Sequence, residues 1–272
     1  MKIEVKDLCF SYGAQEILSN IDLTIDRPGL VCIVGPNGVG KSTLVKCIMG
    51  LNKYSTGTIT LDDIDLQSIS KKDRAKVLGY VPVESSESFS MNVFDSVMQG
   101  RHPHQNMRRT TGLDKTIAIR SLNMMGMLGF AMKNTNELSA GQRQKVNIAK
   151  GLTQTPRILF LDEPTANLDP RHQLQVTERI STIARHIGMT VVMVSHDLNT
   201  SAKYADEIVM MALPGIIYKV GTPREVLTEE TINNVYGVQC NVIDDDGRPH
   251  VILKRALEDE EMIPIQSNLC AN

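Results

Sequence analysis

The chain has 272 residues, 42% hydrophobic and 22% charged, enough to bury a sizeable core and in the range of soluble globular proteins. A formal net charge of −2 gives no broad electrostatic attraction to nucleic acid or to an anionic membrane surface. No apolar run approaches the roughly 18 residues that span a bilayer, the amino end lacks a signal-peptide plan, and five scattered cysteines without a CxxC pair read as reduced cytoplasmic thiols.

Ile3 and Val5, then Ile21, Leu23 and Ile25, alternate with polar neighbours, as half-buried antiparallel strands do. Residues 30–34 form a continuous apolar run, the pattern of a strand buried on both faces. That run ends on Gly35-Pro36-Asn37-Gly38-Val39-Gly40-Lys41-Ser42-Thr43. The glycines let backbone N–H groups turn toward phosphate oxygens, and the helix expected next adds its partial positive charge. Lys41 then reaches the outer phosphates and Ser42 ligates Mg²⁺. The helix carries Leu44, Val45, Ile48 and Met49 on one stripe and stops at Gly50. Residues 57–61 resume the alternating strand pattern.

From residue 84 to about 137 the chain reads as a helical insertion, with Met124, Met125 and Met127 as core packing. Ser139 opens a helix running toward Leu152, and with Gly141 it makes an anion site aimed outward. Lys41 already serves one set of phosphates, so this second site points to the terminal phosphate held by a facing copy of the chain. A buried run at 158–161 leads to Asp162-Glu163-Pro164. An aspartate there is placed to hold Mg²⁺ through its water shell. Glu163, on the other side of the strand end, is placed to polarise an attacking water. Apolar runs at 190–194 and 208–212, separated by helix-like sequence, complete a mostly parallel sheet. Thr222-Pro223-Arg224-Glu225 stands in capping-box order, and Asp246-Gly247 between 241–243 and 250–253 predicts a hairpin. The acidic and polar end, from 258 onward, is expected to fray.

The phosphate loop, the stretch Leu138-Ser139-Ala140-Gly141-Gln142, and Asp162-Glu163 beginning 20 residues after it together resemble the ATP-binding subunit of ABC transporters, over residues 2–240. The resemblance implies an α/β fold: a P-loop NTPase core with an antiparallel β-subdomain and an inserted helical subdomain at about 84–155, then a C-terminal hairpin and tail over 241–272. It implies ATP and Mg²⁺ as ligands and a homodimer in which Ser139, Gly141 and Gln142 face the partner's nucleotide. It makes His196 the switch histidine at the γ-phosphate. Asp169, in Asn167-Leu168-Asp169, becomes the residue through which the two sites communicate, and Tyr12, 23 residues before Gly35, the ring that stacks on adenine. Two integral membrane permease subunits, an extracytoplasmic substrate-binding protein and a peripheral place on the cytoplasmic face of the membrane follow from the same resemblance. Nucleic acid does not.

A finer resemblance lies in Phe94-Asp95-Ser96-Val97-Met98-Gln99-Gly100-Arg101-His102-Pro103-His104 and in Tyr236-Gly237-Val238, both similar to the importer branch serving ferric siderophores, haem and cobalamin. His102 and His104 flank a proline, but two ligands rarely close a metal site, and this stretch is expected to face the membrane partner. One position departs from the family pattern. After Tyr80-Val81-Pro82 the family carries a glutamine that touches Mg²⁺ and the attacking water, whereas here Val83 precedes Glu84. Valine has no hydrogen-bonding group for either task. The alternative is a soluble ABC ATPase acting on DNA or the ribosome. DNA-repair relatives insert long heptad coiled coils between loop and signature, whereas only 97 residues separate Lys41 from Ser139 here, without sustained heptads. Translation-associated relatives carry two cassettes per chain, and this one carries one.

Overall fold

Alternating apolar residues near the amino end build an antiparallel sheet. Strand β1 (Ile3–Tyr12) pairs with β2 (Gln15–Ile25), Ile3 opposite Ile25 and Val5 opposite Leu23, with all four side chains buried. Strand β3 (Gly29–Val34) is buried at every residue, as its unbroken apolar sequence requires. It leads through the glycine-rich loop into α1 (Lys41–Ile48). Strand β4 (Thr56–Leu61) pairs with β1 and with the short β5 (Ile64–Asp65), giving the order β2-β1-β4-β5. The computed structural model describes residues 1–83, 91–105 and 110–258, so Glu84 and the end of the chain from residue 259 lie outside the described residues.

Residues 70–192 make up a second compact unit, distinct from the one formed by residues 1–69 and the chain from 193 onward. It begins with α2 (Lys71–Val77), β6 (Leu78–Val81), α3 (Val93–Met98) and a 3-10 segment over Gln99–His104. Helices α4 (Gly112–Met124) and α5 (Ala140–Thr153) follow, then β7 (Ile158–Asp162), α6 (Pro170–Ile187) and β8 (Thr190–Val194), which carries the chain back to the first unit. Strand β6, absent from the sequence expectation, lies parallel to β7 with Leu78 opposite Ile158 and Val81 opposite Leu161. Helices α3, α4 and α5 pack on one another; Met125 and Met127 are buried in the core as expected, whereas Met124 is only half-buried.

A buried ion pair ties the 3-10 segment to α4. Arg101 Nε donates to Asp114 Oδ1 at 2.9 Å, and its Nη1 donates to the Thr153 carbonyl and to Thr155 Oγ1, both at 3.0 Å. Asp114 also accepts from the Thr111 hydroxyl at 2.7 Å and the Thr111 N–H at 2.9 Å. These Thr111 bonds, followed by the Arg101 guanidinium, lower the carboxyl pKa to about 2.

The first unit resumes with α7 (Leu198–Tyr204), β9 (Glu207–Ala212), β10 (Ile216–Gly221), α8 (Pro223–Val226), α9 (Glu229–Tyr236), β11 (Val238–Asp245) and β12 (Arg248–Ala256). Strand β9 runs parallel to β3, Val31 opposite Glu207 and Val34 opposite Met210, and antiparallel to β10. The predicted hairpin is β11–β12, with Asp246 at φ 50° and Gly247 at φ 81°, the left-handed pair that a tight hairpin turn demands. Cys240 and Val251 of the hairpin pack on Ile232 of α9. Asn199 on α7 clamps Val251 from the side: its Nδ2 donates to the Val251 carbonyl at 3.1 Å and its Oδ1 accepts from the Val251 N–H at 2.7 Å. Among the described residues Cys32, Cys47 and Cys240 are free and buried. No helix among the described residues is long and apolar enough to cross a membrane.

The Asp114 site sets a pH signature. A carboxylate with a lowered folded-state pKa contributes stability above its unfolded pKa and loses it as pH falls through the folded value. Asp114→Asn is expected to reduce the unfolding free energy by about 2 kcal/mol or more near neutral pH. In urea titrations the gap between wild type and variant should hold down to about pH 4 and then narrow toward about pH 2. A gap that does not change with pH would contradict this account.

Candidate nucleotide-binding and hydrolysis site

The phosphate loop is held by backbone geometry and close packing. Gly40 caps α1 at φ 100°, and a Cβ there would stand 2.8 Å from the Leu18 side chain, so only glycine fits. That cap makes no side-chain hydrogen bond, which leaves the N–H groups at the start of α1 directed at an anion. Val39 is buried and anchors the loop from beneath, Asn37 and Gly38 are exposed at its tip, and Ser42 and Thr43 are half-buried. Lys41 is only 5% exposed. Its Nζ donates to the carbonyls of Gly35 and Pro36 at 2.8 and 2.9 Å, so the ammonium is drawn back over its own loop.

Two further expected residues belong to the same unit. Ser195 N–H donates to the Ile33 carbonyl at 3.0 Å, which sets the segment after β8 against the end of β3. Asp197 caps α7 by accepting from the N–H groups of Asn199 and Thr200, and the exposed His196 stands on the turn between these two anchors. Tyr12 is 53% exposed. Its ring meets Phe10 edge-on, centroids 4.7 Å apart, and its hydroxyl accepts from Asn52 Nδ2 at 3.0 Å. The ring is thereby fixed by its edge and tip and offers a face for stacking. Neither Phe10 nor Asn52 carries a motif that would have marked it. Tyr236, in the Tyr236-Gly237-Val238 stretch, has a buried hydroxyl without a hydrogen-bond partner among the described residues, and burial raises its pKa.

In the second unit Asp162 ends β7 almost fully buried, and its Oδ2 accepts from the Tyr80 hydroxyl at 3.0 Å. Burial, then the Asp162 charge, raises the Tyr80 pKa, so the hydroxyl stays protonated as a donor. Sequence reasoning missed this role, although Tyr80 opens the stretch that leads to Val83. Glu163 has φ 46°, a left-handed conformation that costs a non-glycine residue about 1 kcal/mol or more. The turn places Glu163 on the wall of a cavity of about 290 Å³, shared with Val83, Arg143, Gln144, Asn147 and Asn167. Val83 is 39% exposed.

Ser139 and Gln142 form a reciprocal cap on α5: Ser139 Oγ accepts from the Gln142 N–H at 3.3 Å, and Gln142 Oε1 accepts from the Ser139 N–H at 3.0 Å. Ser139 is exposed, as a surface that meets another molecule must be. Gly141 is buried against His172, whose ring would lie 3.3 Å from an added Cβ. His172 Nδ1 in turn lies 2.6 Å from Asp169 Oδ2, and Asp169 caps α6 through the His172 N–H. The contact with His172 lowers the Asp169 pKa. His172 therefore joins Gly141 to Asp169, a link invisible in the sequence. His104 Nε2 lies 2.8 Å from the Gln154 carbonyl, and His102 is exposed.

Residues 18–166 match the ABC transporter family. The chain belongs to this family. It is 40% identical over 252 residues to an ABC transporter ATP-binding protein of Methanocaldococcus jannaschii, covering 93% of this chain and 98% of that one. It is 35% identical over 244 residues to the petrobactin import ATP-binding protein of Bacillus anthracis, covering 89% of each. A solved dimeric cassette of a bacterial ABC transporter matches with a TM-score of 0.71 and 27% identity, covering 81% of this chain and 98% of that one. The fold is that of the P-loop ATP-binding cassettes, and the cassette is an ATPase of the ABC family.

Lys41→Ala removes a charge-assisted contact of about 1.5–3 kcal/mol, so ATP affinity of the isolated cassette should fall about 10- to 150-fold. Titration with a fluorescent ATP analogue measures this. Affinity within about twofold of wild type would take Lys41 out of the phosphate site.

Proposed function

We propose that this ATP-binding cassette powers import of a metal chelate or corrinoid, a ferric siderophore, haem or cobalamin, by hydrolysing ATP as a homodimer docked on two integral membrane permease subunits. The observation that carries the dimer is the exposed helix start at Ser139, whose cap with Gln142 occupies the N–H groups of those two residues and so leaves those of Ala140 and Gly141 for an anion, in a chain whose own phosphate loop already supplies one such start. Similarity to a petrobactin import protein supports the direction and cargo class. In this reading the cassette sits on the cytoplasmic face of the membrane, and an extracytoplasmic binding protein delivers cargo to the permease.

The side chains divide the labour. Tyr12 stacks on adenine, while residues 35–43, with Lys41, grip the phosphates of ATP. Ser139, Gly141 and Gln142 bind the terminal phosphate of the partner's nucleotide. The Ser42 hydroxyl and the Asp162 carboxylate, which Tyr80 steadies, suit a hard oxygen-seeking ion and would hold Mg²⁺. The ion, when bound, draws charge from the phosphates. Glu163 takes a proton from the attacking water, His196 contacts the γ-phosphate, and Asp169 links the two sites through His172. ATP closes the dimer and hydrolysis reopens it, so the chemical step is coupled to movement of the permease.

Glu163→Gln should retain ATP affinity, lose turnover by about a hundredfold or more, and elute as a dimer with ATP and Mg²⁺ on size-exclusion chromatography. Ser139→Arg should bind ATP as a monomer within about threefold of wild type yet neither dimerise nor hydrolyse. Loss of nucleotide binding by the Ser139→Arg monomer would refute the head-to-tail arrangement. Purification from membranes should recover a multi-spanning partner; a cassette that leaves the membrane alone and instead associates with DNA or ribosomes would overturn the transport assignment.

A further inference from the structure

Asp162 is held by a residue that no motif announces. Strand β6 lies parallel to β7 with Tyr80 opposite Phe160, so Asp162, two residues farther along β7, stands on the same face of the sheet as the tyrosine ring. The Tyr80 hydroxyl reaches across and donates to Asp162 Oδ2 at 3.0 Å; an ionised carboxylate can only accept. The bond is kept in one geometry from both sides. Asp162 is only 2% exposed, which leaves its carboxylate little room to swing. The start of β6 is fixed by Gln154, whose Nε2 donates to the Leu78 carbonyl at 2.9 Å, and by the Arg157 N–H, which donates to the Val77 carbonyl at 2.8 Å. A carboxylate with one oxygen held by a hydroxyl is hindered from chelating an ion through both. Two-oxygen chelation is open to Ca²⁺, with its large and flexible oxygen shell, whereas Mg²⁺ demands near-ideal octahedral placement of each ligand.

We propose that Tyr80 is a positioning residue for the metal ion, its hydroxyl pinning the Asp162 carboxylate in a rigid presentation that favours Mg²⁺ over Ca²⁺. The inference rests on the metal-holding role given to Asp162 above. Tyr80 acts only through that carboxylate: it exchanges no proton, and its hydroxyl is engaged by Asp162 Oδ2. Hydrogen bonds that orient a ligand in this way account for about 10- to 100-fold in metal affinity.

Metal titrations of the full chain test this with Tyr80→Phe, Asp162→Ala and the double variant Tyr80→Phe/Asp162→Ala. Each protein is loaded with a substoichiometric, non-hydrolysable fluorescent ATP analogue in EDTA and then titrated with Mg²⁺ or Ca²⁺, and the analogue signal gives the metal Kd. Tyr80→Phe keeps the ring and removes only the donor. It should bind the analogue in EDTA within about twofold of wild type, raise the Mg²⁺ Kd about tenfold and raise the Ca²⁺ Kd by no more than about threefold. In the Asp162→Ala background the same substitution should change the Mg²⁺ Kd less than about twofold, because the carboxylate it acts through is gone. A Mg²⁺ Kd within about twofold of wild type in Tyr80→Phe overturns the proposal. So does an equal rise for both ions, an effect that persists without Asp162, or a loss of analogue affinity in EDTA that marks the bond as structural. The Asp162→Ala arm separates the two ideas. An unchanged Mg²⁺ Kd there removes Asp162 from the metal, whereas a weakened Asp162→Ala beside an unaffected Tyr80→Phe removes only Tyr80.

Discussion

A lysine ammonium can be buried only where its N–H groups meet acceptors, and Lys41 meets them in the carbonyls of Gly35 and Pro36. That constraint shapes the first unit. The loop must curl over its own lysine, so Gly40 adopts a conformation closed to other residues and Leu18 packs where a Cβ would be. Strand β3 must be rigid enough to hold the curl, and its six buried residues make it so. The phosphate cradle is therefore finished by folding, and binding does not have to order it.

The cap on α5 follows a related logic. The Ser139 oxygen accepts from the Gln142 N–H, which leaves the hydroxyl hydrogen to be directed elsewhere. Capping and phosphate recognition are thus compatible in one side chain. Gly141, pressed on His172, cannot grow a side chain without displacing the histidine that Asp169 holds. Local helix chemistry and proposed inter-subunit chemistry share the same few atoms.

What was legible in the sequence was local. The capping pairs Ser139–Gln142 and Thr222–Glu225 are three residues apart, and the Asp246-Gly247 turn announces its hairpin directly. The buried strands showed as apolar runs because both of their faces are covered. Strand β6 escaped because four residues, one of them Gly79, follow α2 without a break. The pairing of Tyr80 with Asp162 spans 82 positions, and the shared cavity of Val83 and Gln144 likewise depends on tertiary placement, which no spacing rule encodes. The left-handed backbone at Glu163 was equally hidden, since strand alternation alone would have kept it in an extended conformation.

The Asn199 clamp gives the C-terminal hairpin a mechanical meaning. Asn199 holds both the N–H and the carbonyl of Val251, in the manner of a neighbouring strand, and its own N–H is held by Asp197, the residue after His196. Tension applied to the hairpin would thus be delivered through three hydrogen bonds to the turn that carries the histidine. The hairpin is a tether on that turn, and whatever grips its outer strand acquires leverage over where His196 points.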